Sequence, residues 1–329
     1  MVILVIGSEG TIGKPLVESL KAKGHTVFTS DLKHNHDLLV TQYANIEGFT
    51  RCDISKYREL ENILLLHNYD YIYVLAAEFG RMNGEDFYER LWETNVIGIK
   101  NLLSIIQTHD VKSKVIFFSS SEVYGELTTP DGILHEDDML KYSVIQHNDY
   151  AITKWVNEKQ IINAQKENPR LNIFRVRLFN AYGKGEFYTN YRSVVCLFCY
   201  RMLYNLPITI YRDYYRVFMH IDDLIITLCR IPEINWELLN KNVINIGGEE
   251  YCSIENMYSI IKTNIPYCRS VVTMLEKDGH NTVCKRPGIE KAKTILNHDP
   301  SIFLLKGIPL TLNWMIKEYK LNRALIKIS

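Results

Sequence analysis

The stretch from Val2 to Asp31 constrains the fold more than any other. Val2 to Ile6 is a short, wholly apolar run, the pattern of a strand buried on both faces. Gly7-Ser8-Glu9-Gly10-Thr11-Ile12-Gly13 follows at once, and the spacing then predicts an amphipathic helix over Pro15–Lys23, ended by Gly24. His25 to Ser30 reads as a second strand, with Asp31 at its carboxyl end. A glycine turn between strand and helix lets the backbone approach a pyrophosphate at the helix N-terminus. An acid at the end of the second strand can hold two ribose hydroxyls. The glycine spacing is GxxGxxG, not GxGxxG, and an ordinary turn is the alternative for the glycines taken alone. The flanking strands and Asp31 favour a dinucleotide. A carboxylate repels a 2′-phosphate, and no arginine follows closely, only Lys33, so NAD is expected over NADP.

More βα units succeed this one. Asp53-Ile54 closes a short segment after Phe49. Periodicity predicts a helix over Lys56–His67, then a strand from Tyr71 to Leu75 ending in Ala76-Ala77. A long helix over Phe87–His109, with Asn95 in its interior, precedes a strand over Val115–Phe118. A helix from Tyr150 to about Lys166 leads to a strand over Leu171–Leu178 and to Phe179-Asn180-Ala181-Tyr182-Gly183. Small side chains at Ala76 and Ala77 would let a flat ring or a ribose lie close. Strands alternating with helices over this length predict an α/β fold, a Rossmann-type doubly wound parallel sheet. Its ligands belong at the carboxyl ends of the strands, where Gly10, Asp31, Ala76, Ser120 and Asn180 all fall. After Gly183 the rhythm changes to a mixture of short strands and helices. The expected organisation is a first domain over residues 1–180 and a smaller, interleaved C-terminal α/β domain over residues 181–329. Residues 217–248 are expected to return in part to the main sheet.

Composition excludes several classes. The 329 residues are 47% hydrophobic, enough for one large core or two modest ones. Formal net charge is zero, so nothing points to nucleic acid or to an anionic membrane surface. The longest apolar stretch, near Val194, lies between Arg192 and Arg201 and is too short to span a bilayer. The seven cysteines are scattered, and the N-terminal apolar run stops at Gly7 without a basic leader. A cytoplasmic protein with reduced thiols is the expectation. Cys196-x-x-Cys199 sits in an apolar, helix-like run with no second pair, so core packing is expected there, and no metal.

The chemistry concentrates in FFSSSEVYG (Phe117 to Gly125) and DYAITK (Asp149 to Lys154). Three hydroxyls, a carboxylate and a tyrosine stand at the end of a buried strand. Tyr150 and Lys154, four residues apart, share one face of the next helix. A hydroxyl facing such a pair is suited to proton transfer beside a bound ligand. A solvated helix pair is the alternative.

GSEGTIG, Asp31, Asp53-Ile54, Leu75-Ala76-Ala77, FFSSSEVYG, YAITK, RLFNAYG, RVFMHIDD and INIGGEE resemble, in that order, the extended short-chain dehydrogenase/reductase family that modifies nucleotide sugars. The resemblance covers nearly the whole chain. It implies a homodimer with a retained NAD and transient oxidation of a sugar hydroxyl, usually at C4. It implies cofactor contacts at Gly7, Gly10, Thr11, Ile12, Gly13, Asp31, Asp53, Ile54, Leu75, Ala76, Ala77 and Asn95, and at Tyr150 and Lys154. Tyr150 would be the base, and Ser120 would hydrogen-bond the reacting oxygen. Lys154 would bind the nicotinamide ribose and depress the tyrosine pKa. Asn180 and Arg216 match positions that hold the diphosphate of the nucleotide sugar, with Arg286 joining them; a surface charge is the lesser alternative for each taken alone. Val195 and Tyr211 would flank the base, a UDP-sugar being favoured and a GDP-sugar possible.

Within that family Ser121-Glu122 discriminates. The 4,6-dehydratases read Thr-Asp-Glu before Val-Tyr-Gly; here Ser121 replaces the Asp and Glu122 remains. Ser-Glu resembles UDP-glucuronate decarboxylases, yet those carry an arginine where this chain has Lys285. Plain 4-epimerases lack a carboxylate at the Glu122 position. A surface carboxylate beside a turn is the plain alternative for Glu122. A loop bearing Glu78 and Arg81 is expected to lie over the sugar, because two charges there are unusual without a ligand. AAEFGRMNGEDFYE, SSSEVYG and NYRSVV together resemble the dehydratase of the tunicamycin pathway, which acts on UDP-N-acetylglucosamine. The expectation is a dehydratase, with an epimerase, a decarboxylase and a non-catalytic NAD-binding scaffold as successive alternatives.

Overall fold

The computed structural model describes residues 1–32, 48–276 and 282–322, so Lys33 lies outside the described residues. Val2–Ile6 forms β1, Gly13–Ala22 α1, Thr26–Asp31 β2 and Phe49–Arg51 β3. Tyr57–Leu65 (α2) and Tyr71–Val74 (β4) follow, then Arg81–Asp86 (α3), Tyr88–Trp92 (α4) and Gly98–Thr108 (α5). Lys114–Ser120 is β5, Asp138–Lys141 α6, Asp149–Glu167 α7 and Ile173–Leu178 β6. The remaining elements are β7 (Ala181–Tyr182), α8 (Val194–Leu203), β8 (Ile208–Tyr211), β9 (Tyr215–Val217), β10 (Met219–His220) and α9 (Ile221–Leu228). They continue with β11 (Val243–Ile246), β12 (Tyr251–Ser253), α10 (Ile254–Asn264), β13 (Val272–Leu275), β14 (Cys284–Lys285), α11 (Glu290–Leu296) and α12 (Leu304–Glu318).

Among the described residues, seven strands form one sheet in the order β11-β6-β5-β4-β1-β2-β3. The pairings of β1 with β2 and β4, of β2 with β3 and of β4 with β5 are parallel. The doubly wound α/β fold expected from the sequence is therefore the fold found. β1 lies between β2 and β4, so the chain winds outward from it in both directions. That switch point is where such sheets open a crevice beyond their carboxyl ends. β1, β4 and β5 are apolar on both faces because helices cover both faces.

By contact the chain divides into two compact units, residues 1–123, 148–177 and 228–244 in one, and residues 124–147, 178–227 and 245–329 in the other. The first is organised on the sheet, with Ile72, Val74, Val115 and Phe117 packed against Leu102, Ile105 and Ile106 of α5. The second has its own core, in which Val195, Phe198 and Cys199 of α8 meet Met257 and Ile261 of α10 and Ile308 and Leu312 of α12. Cys196 and Cys199 are both in that core, and burial pushes both thiols well above the usual range.

Two local expectations are corrected. The helix anticipated over Phe87–His109 is α4, a π-helical turn over Glu93–Ile97, and α5. Periodicity does not reveal one inserted residue per turn, and Asn95 sits inside that π turn, fully buried. The loop anticipated after Ala77 winds into α3 at Gly80, whose φ of 85° suits glycine.

The glycine turn is tight for a stated reason. Gly7 and Ser8 donate their N–H groups to Ser30 O at 2.7 and 3.1 Å, which folds the turn over β2. A Cβ on Gly13 would lie 2.1 Å from Gly7 O. Gly13→Ala is therefore expected to lower stability by about 1–3 kcal/mol through overpacking, read as a lower urea midpoint at unchanged m-value.

Candidate active site

The sheet's carboxyl edge carries the expected cofactor residues. Gly7 has φ 90°, and a Cβ there would stand 2.5 Å from Ala76 N, so β1 and β4 approach as closely as backbones can. Leu75 and Ala76 both donate to Ile6 O, at 2.8 and 3.0 Å, and carry Ala77 to the same edge. α1 begins without an acidic residue in its first turn and without a side-chain cap, which leaves its positive dipole end to an external anion. Gly10, Thr11 and Ile12 lead into that end. Asp31 accepts from Glu9 N at 2.9 Å and Leu32 N at 2.7 Å, which sets its carboxylate beside the glycine turn. Asp53 accepts from Ser55 N, and Ile54 packs beneath Gly98 of α5. A turn without room for side chains, a helix whose first turn carries no acidic residue and a carboxylate at the end of β2 together fit a dinucleotide.

Asn95 is occupied within the protein. Its Oδ1 accepts from Glu78 N, while its Nδ2 donates to Glu78 O and to Thr153 Oγ1, at 2.9, 2.9 and 3.1 Å. The Glu78 carboxylate, itself buried, accepts from Asn83 Nδ2 at 2.9 Å and pairs with Arg90. Arg81 donates to Glu85 at 2.8 Å. Both charges on this segment thus have protein partners, so their presence does not of itself require a ligand.

β5 and α7 bring together the four proton-handling side chains. β5 ends at Ser120, and Ser121–Tyr124 forms a 3₁₀ turn in which Glu122 N donates to Ser120 Oγ at 3.2 Å. Ser121 is buried in that turn and Glu122 half-buried. α7 starts at an Asn148 cap that accepts from Ala151 N, which places Tyr150 in the first turn. Tyr150 is half-buried as a residue, with its hydroxyl end enclosed and hydrogen-bonded to Ser120. Lys154 is 4% exposed; its Nζ donates to Phe118 O at 2.9 Å and lies 5.9 Å from the centre of the Tyr150 ring.

The electrostatics differ from expectation. Burial pushes the Tyr150 hydroxyl up to about 12; the Ser120 hydrogen bond opposes the rise and the negative field of Glu122 adds to it. Lys154 does not pull the phenol down to working pH in this state. Burial instead lowers Lys154 itself to about 8.

The second unit holds the residues expected to meet a nucleotide. Asn180 donates to Val217 O at 3.1 Å. Arg216 donates to three carbonyls, Tyr215 O, Val283 O and Thr282 O, and lies over the Tyr214 ring. The Arg286 guanidinium stands 5.6 Å from the centre of the Tyr251 ring. Val195 is fully buried in the core, and Tyr211 is exposed.

One group passed unnoticed in the sequence. Glu158, on α7, is buried with Ser119, Arg175 and Arg177 around its carboxylate. The spacing Tyr150, Lys154, Glu158 was the available signal, since steps of four run along one face of a helix.

A profile described as the NAD dependent epimerase/dehydratase family matches residues 3–247. UDP-N-acetyl-alpha-D-glucosaminuronate decarboxylase of Bacillus cytotoxicus is 28% identical over 326 residues, covering 94% of this chain and 96% of the relative. UDP-glucuronate 4-epimerase of Thermodesulfobacterium geofontis is 26% identical, with 98% of each chain covered. The crystal structure of UDP-glucuronic acid 4-epimerase from Bacillus cereus in complex with UDP-glucuronic acid and NAD superposes with a TM-score of 0.82. That match is 25% identical and covers 97% of this chain and 100% of the other.

The buried Lys154 gives a testable pH dependence. Its value of about 8, against an ordinary 10.5, means the unfolded chain binds the proton more tightly than the folded one. Holding the charge therefore destabilises the fold by roughly 3 kcal/mol below pH 8, and the cost fades as pH rises toward 10.5. Urea unfolding of Lys154→Met and the parent across that window is expected to show the variant losing ground to the parent as pH rises. A pH-independent difference would contradict this account.

Proposed function

The chain belongs to the NAD dependent epimerase/dehydratase family, and on that premise we propose that it is an NAD-dependent enzyme that modifies a UDP-sugar by transient oxidation at C4 and elimination of water across C5–C6. The proposed division of labour gives NAD to residues 1–180 and the nucleotide sugar to residues 181–329, in a homodimer. A UDP-sugar is favoured because the relatives named above act on UDP-sugars; a GDP-sugar is the other candidate. Among the described residues, no helix is long and apolar enough to cross a membrane.

The glycine turn and the α1 N-terminus would hold the NAD pyrophosphate, Asp31 a ribose, and Lys154 the nicotinamide ribose, with Asp53, Ile54, Leu75, Ala76, Ala77 and Asn95 shaping the cradle. NAD, when bound, takes and returns the hydride of the sugar's C4, so the hydroxyl is a ketone for part of the cycle. Tyr150 removes the C4 hydroxyl proton, and Ser120 holds the same oxygen in line with the phenol. The ketone acidifies the proton on C5. Glu122 takes that proton, a C5–C6 double bond forms, and the C6 hydroxyl leaves as water carrying a proton back from Glu122. Glu78, Arg81 and Ser121 would border the sugar, and Asn180, Arg216 and Arg286 the diphosphate, with Val195 and Tyr211 beside the base.

The observation that carries this reading is the carboxylate of Glu122, half-buried in the turn that follows Ser120 and close enough to Tyr150 for its charge to act on the phenol. Inversion at C4 has no need of a second acid there. A second reading, decarboxylation of a UDP-uronic acid, is favoured by the Bacillus cytotoxicus relative. Against it stands Lys285 in place of the arginine, 1% exposed.

A panel of UDP- and GDP-sugars, with products weighed by mass spectrometry, separates these outcomes. Loss of one water is expected; loss of carbon dioxide or an isobaric product replaces the dehydratase by a decarboxylase or an epimerase. No turnover with NAD still bound leaves only a binding scaffold. Glu122→Gln is expected to slow elimination at least about 100-fold while C4 oxidation persists in a single turnover. Product formation at the parental rate removes Glu122 from the mechanism.

A further inference from the structure

Behind the proton-handling side chains lies a charged cluster with no part in the chemistry above. Glu158 stands two turns along α7 from Tyr150 and is 3% exposed. Arg177 of β6 grips it with two hydrogen bonds, Nε to Oε1 at 2.9 Å and Nη2 to Oε2 at 2.8 Å. Arg175 approaches at 3.5 Å and also donates to Lys241 O. Ser119 of β5 donates its hydroxyl to Glu158 Oε1 at 2.6 Å. Burial pushes the carboxyl up, yet Arg177, Arg175 and Ser119 together hold it below its usual range, so it is ionised.

Stability alone gives little reason for such a group. Buried ion pairs lose much of their attraction to desolvation, and apolar residues of similar volume often serve as well. Its placement is the informative part. Three consecutive residues of β5 are each bound by one α7 side chain: Phe118 O by Lys154, Ser119 by Glu158 and Ser120 by Tyr150. Phe118 O is held by a flexible stem and Ser120 by a single hydroxyl. The Glu158–Arg177 pair is instead bidentate and planar, which fixes direction as well as distance. α7 is unbroken from Asp149 to Glu167, so a rotation permitted at Glu158 is carried about 12 Å along the axis to Tyr150.

We infer that Glu158, Arg177 and Ser119 are positioning residues, a rigid peg that sets the rotation of α7 against β5 and so the alignment of Tyr150 with Ser120 and of Lys154 with Phe118 O. None of the three takes or gives a proton in the reaction. The inference rests on the proposed use of Tyr150 as base, but its geometric part can be read without substrate.

Ser119→Ala removes the link to β5 and leaves the ion pair intact; Glu158→Gln keeps the shape and removes the charge; Ser119→Thr keeps the hydroxyl. The first two are expected to lower kcat about 10-fold or more with KM changed less than about 2-fold, since small misalignments act on the reacting geometry. Ser119→Thr is expected to recover most of the loss. In the free proteins, carbon-13 NMR of labelled lysine is expected to show the Lys154 titration moving toward the ordinary lysine range in Ser119→Ala, which leaves every charge in place. Parental kcat together with a parental Lys154 titration overturns the inference, as does a loss confined to KM or a threonine variant no better than alanine. If the parent turns over no nucleotide sugar, the proposed function falls, and the Lys154 titration alone decides this inference. If Ser119→Ala does not fold, Glu158→Gln decides it.

Discussion

The hydrogen bond from the Lys154 ammonium to the Phe118 carbonyl is the contact on which the chemistry of the first unit depends. A lysine enclosed in protein is unfavourable unless its charge has an acceptor. β5 supplies one in the Phe118 carbonyl, close to where the chain turns into the 3₁₀ segment at Ser121. The same turn delivers Ser120 and Glu122, so one change of backbone direction creates the acceptor for the lysine and the neighbours of the tyrosine. α7 cannot carry Tyr150 to Ser120 without also carrying Lys154 to Phe118 O. The destabilisation of the buried charge is thus tied to the placement of the base.

The opposite side of the sheet's midline obeys a different constraint, that of backbone approach. β1 and β4 are separated by so little at Gly7 and Ala76 that no side chain fits there. The edge can therefore accept a flat or extended ligand lying against main chain. Gly7 N and Ser8 N are consumed by Ser30 O, which pins the turn ahead of α1, whose first turn carries no acidic residue. The candidate cofactor cradle and the proton-handling group share one carboxyl edge because all their strands run in one direction. A single antiparallel strand among β1, β4 and β5 would have turned one of them away.

Much of this was legible in the residues. The apolar runs of β1, β4 and β5, the glycine turn and Asp31 each follow from local rules, and local rules suffice for a parallel sheet whose neighbours repeat the same unit. Tyr150 and Lys154 were legible for the same reason, since a spacing of four on a helix is a local fact. What escaped depended on partners distant in the chain. Arg177 is an ordinary strand residue until β6 is laid beside β5 and its guanidinium finds Glu158 on α7. The π turn at Asn95 escaped because its driving contact, the backbone of Glu78, belongs to another segment. Glu78 and Arg81 are expected to border the sugar, and the residues alone do not show that each also has a protein partner: Glu78 meets Asn83 and Arg90, and Arg81 meets Glu85.

The charges around Tyr150 bear on the order of events. The phenol is held at about 12 by burial and by the field of Glu122, against its bond with Ser120. At neutral pH it is protonated, and it becomes a base only in a complex that adds positive charge or removes negative charge nearby. Glu122 is a negative charge that the proposed elimination itself removes, because the carboxylate becomes a neutral acid when it takes the C5 proton. In the proposed sequence that step follows the uptake of the C4 hydroxyl proton by Tyr150, so it would not assist the oxidation. Two acids this close discourage both from being ionised together. The field of Glu122 thus opposes the ionised phenol that the proposed C4 oxidation requires, and positive charge brought by a bound cofactor would offset it.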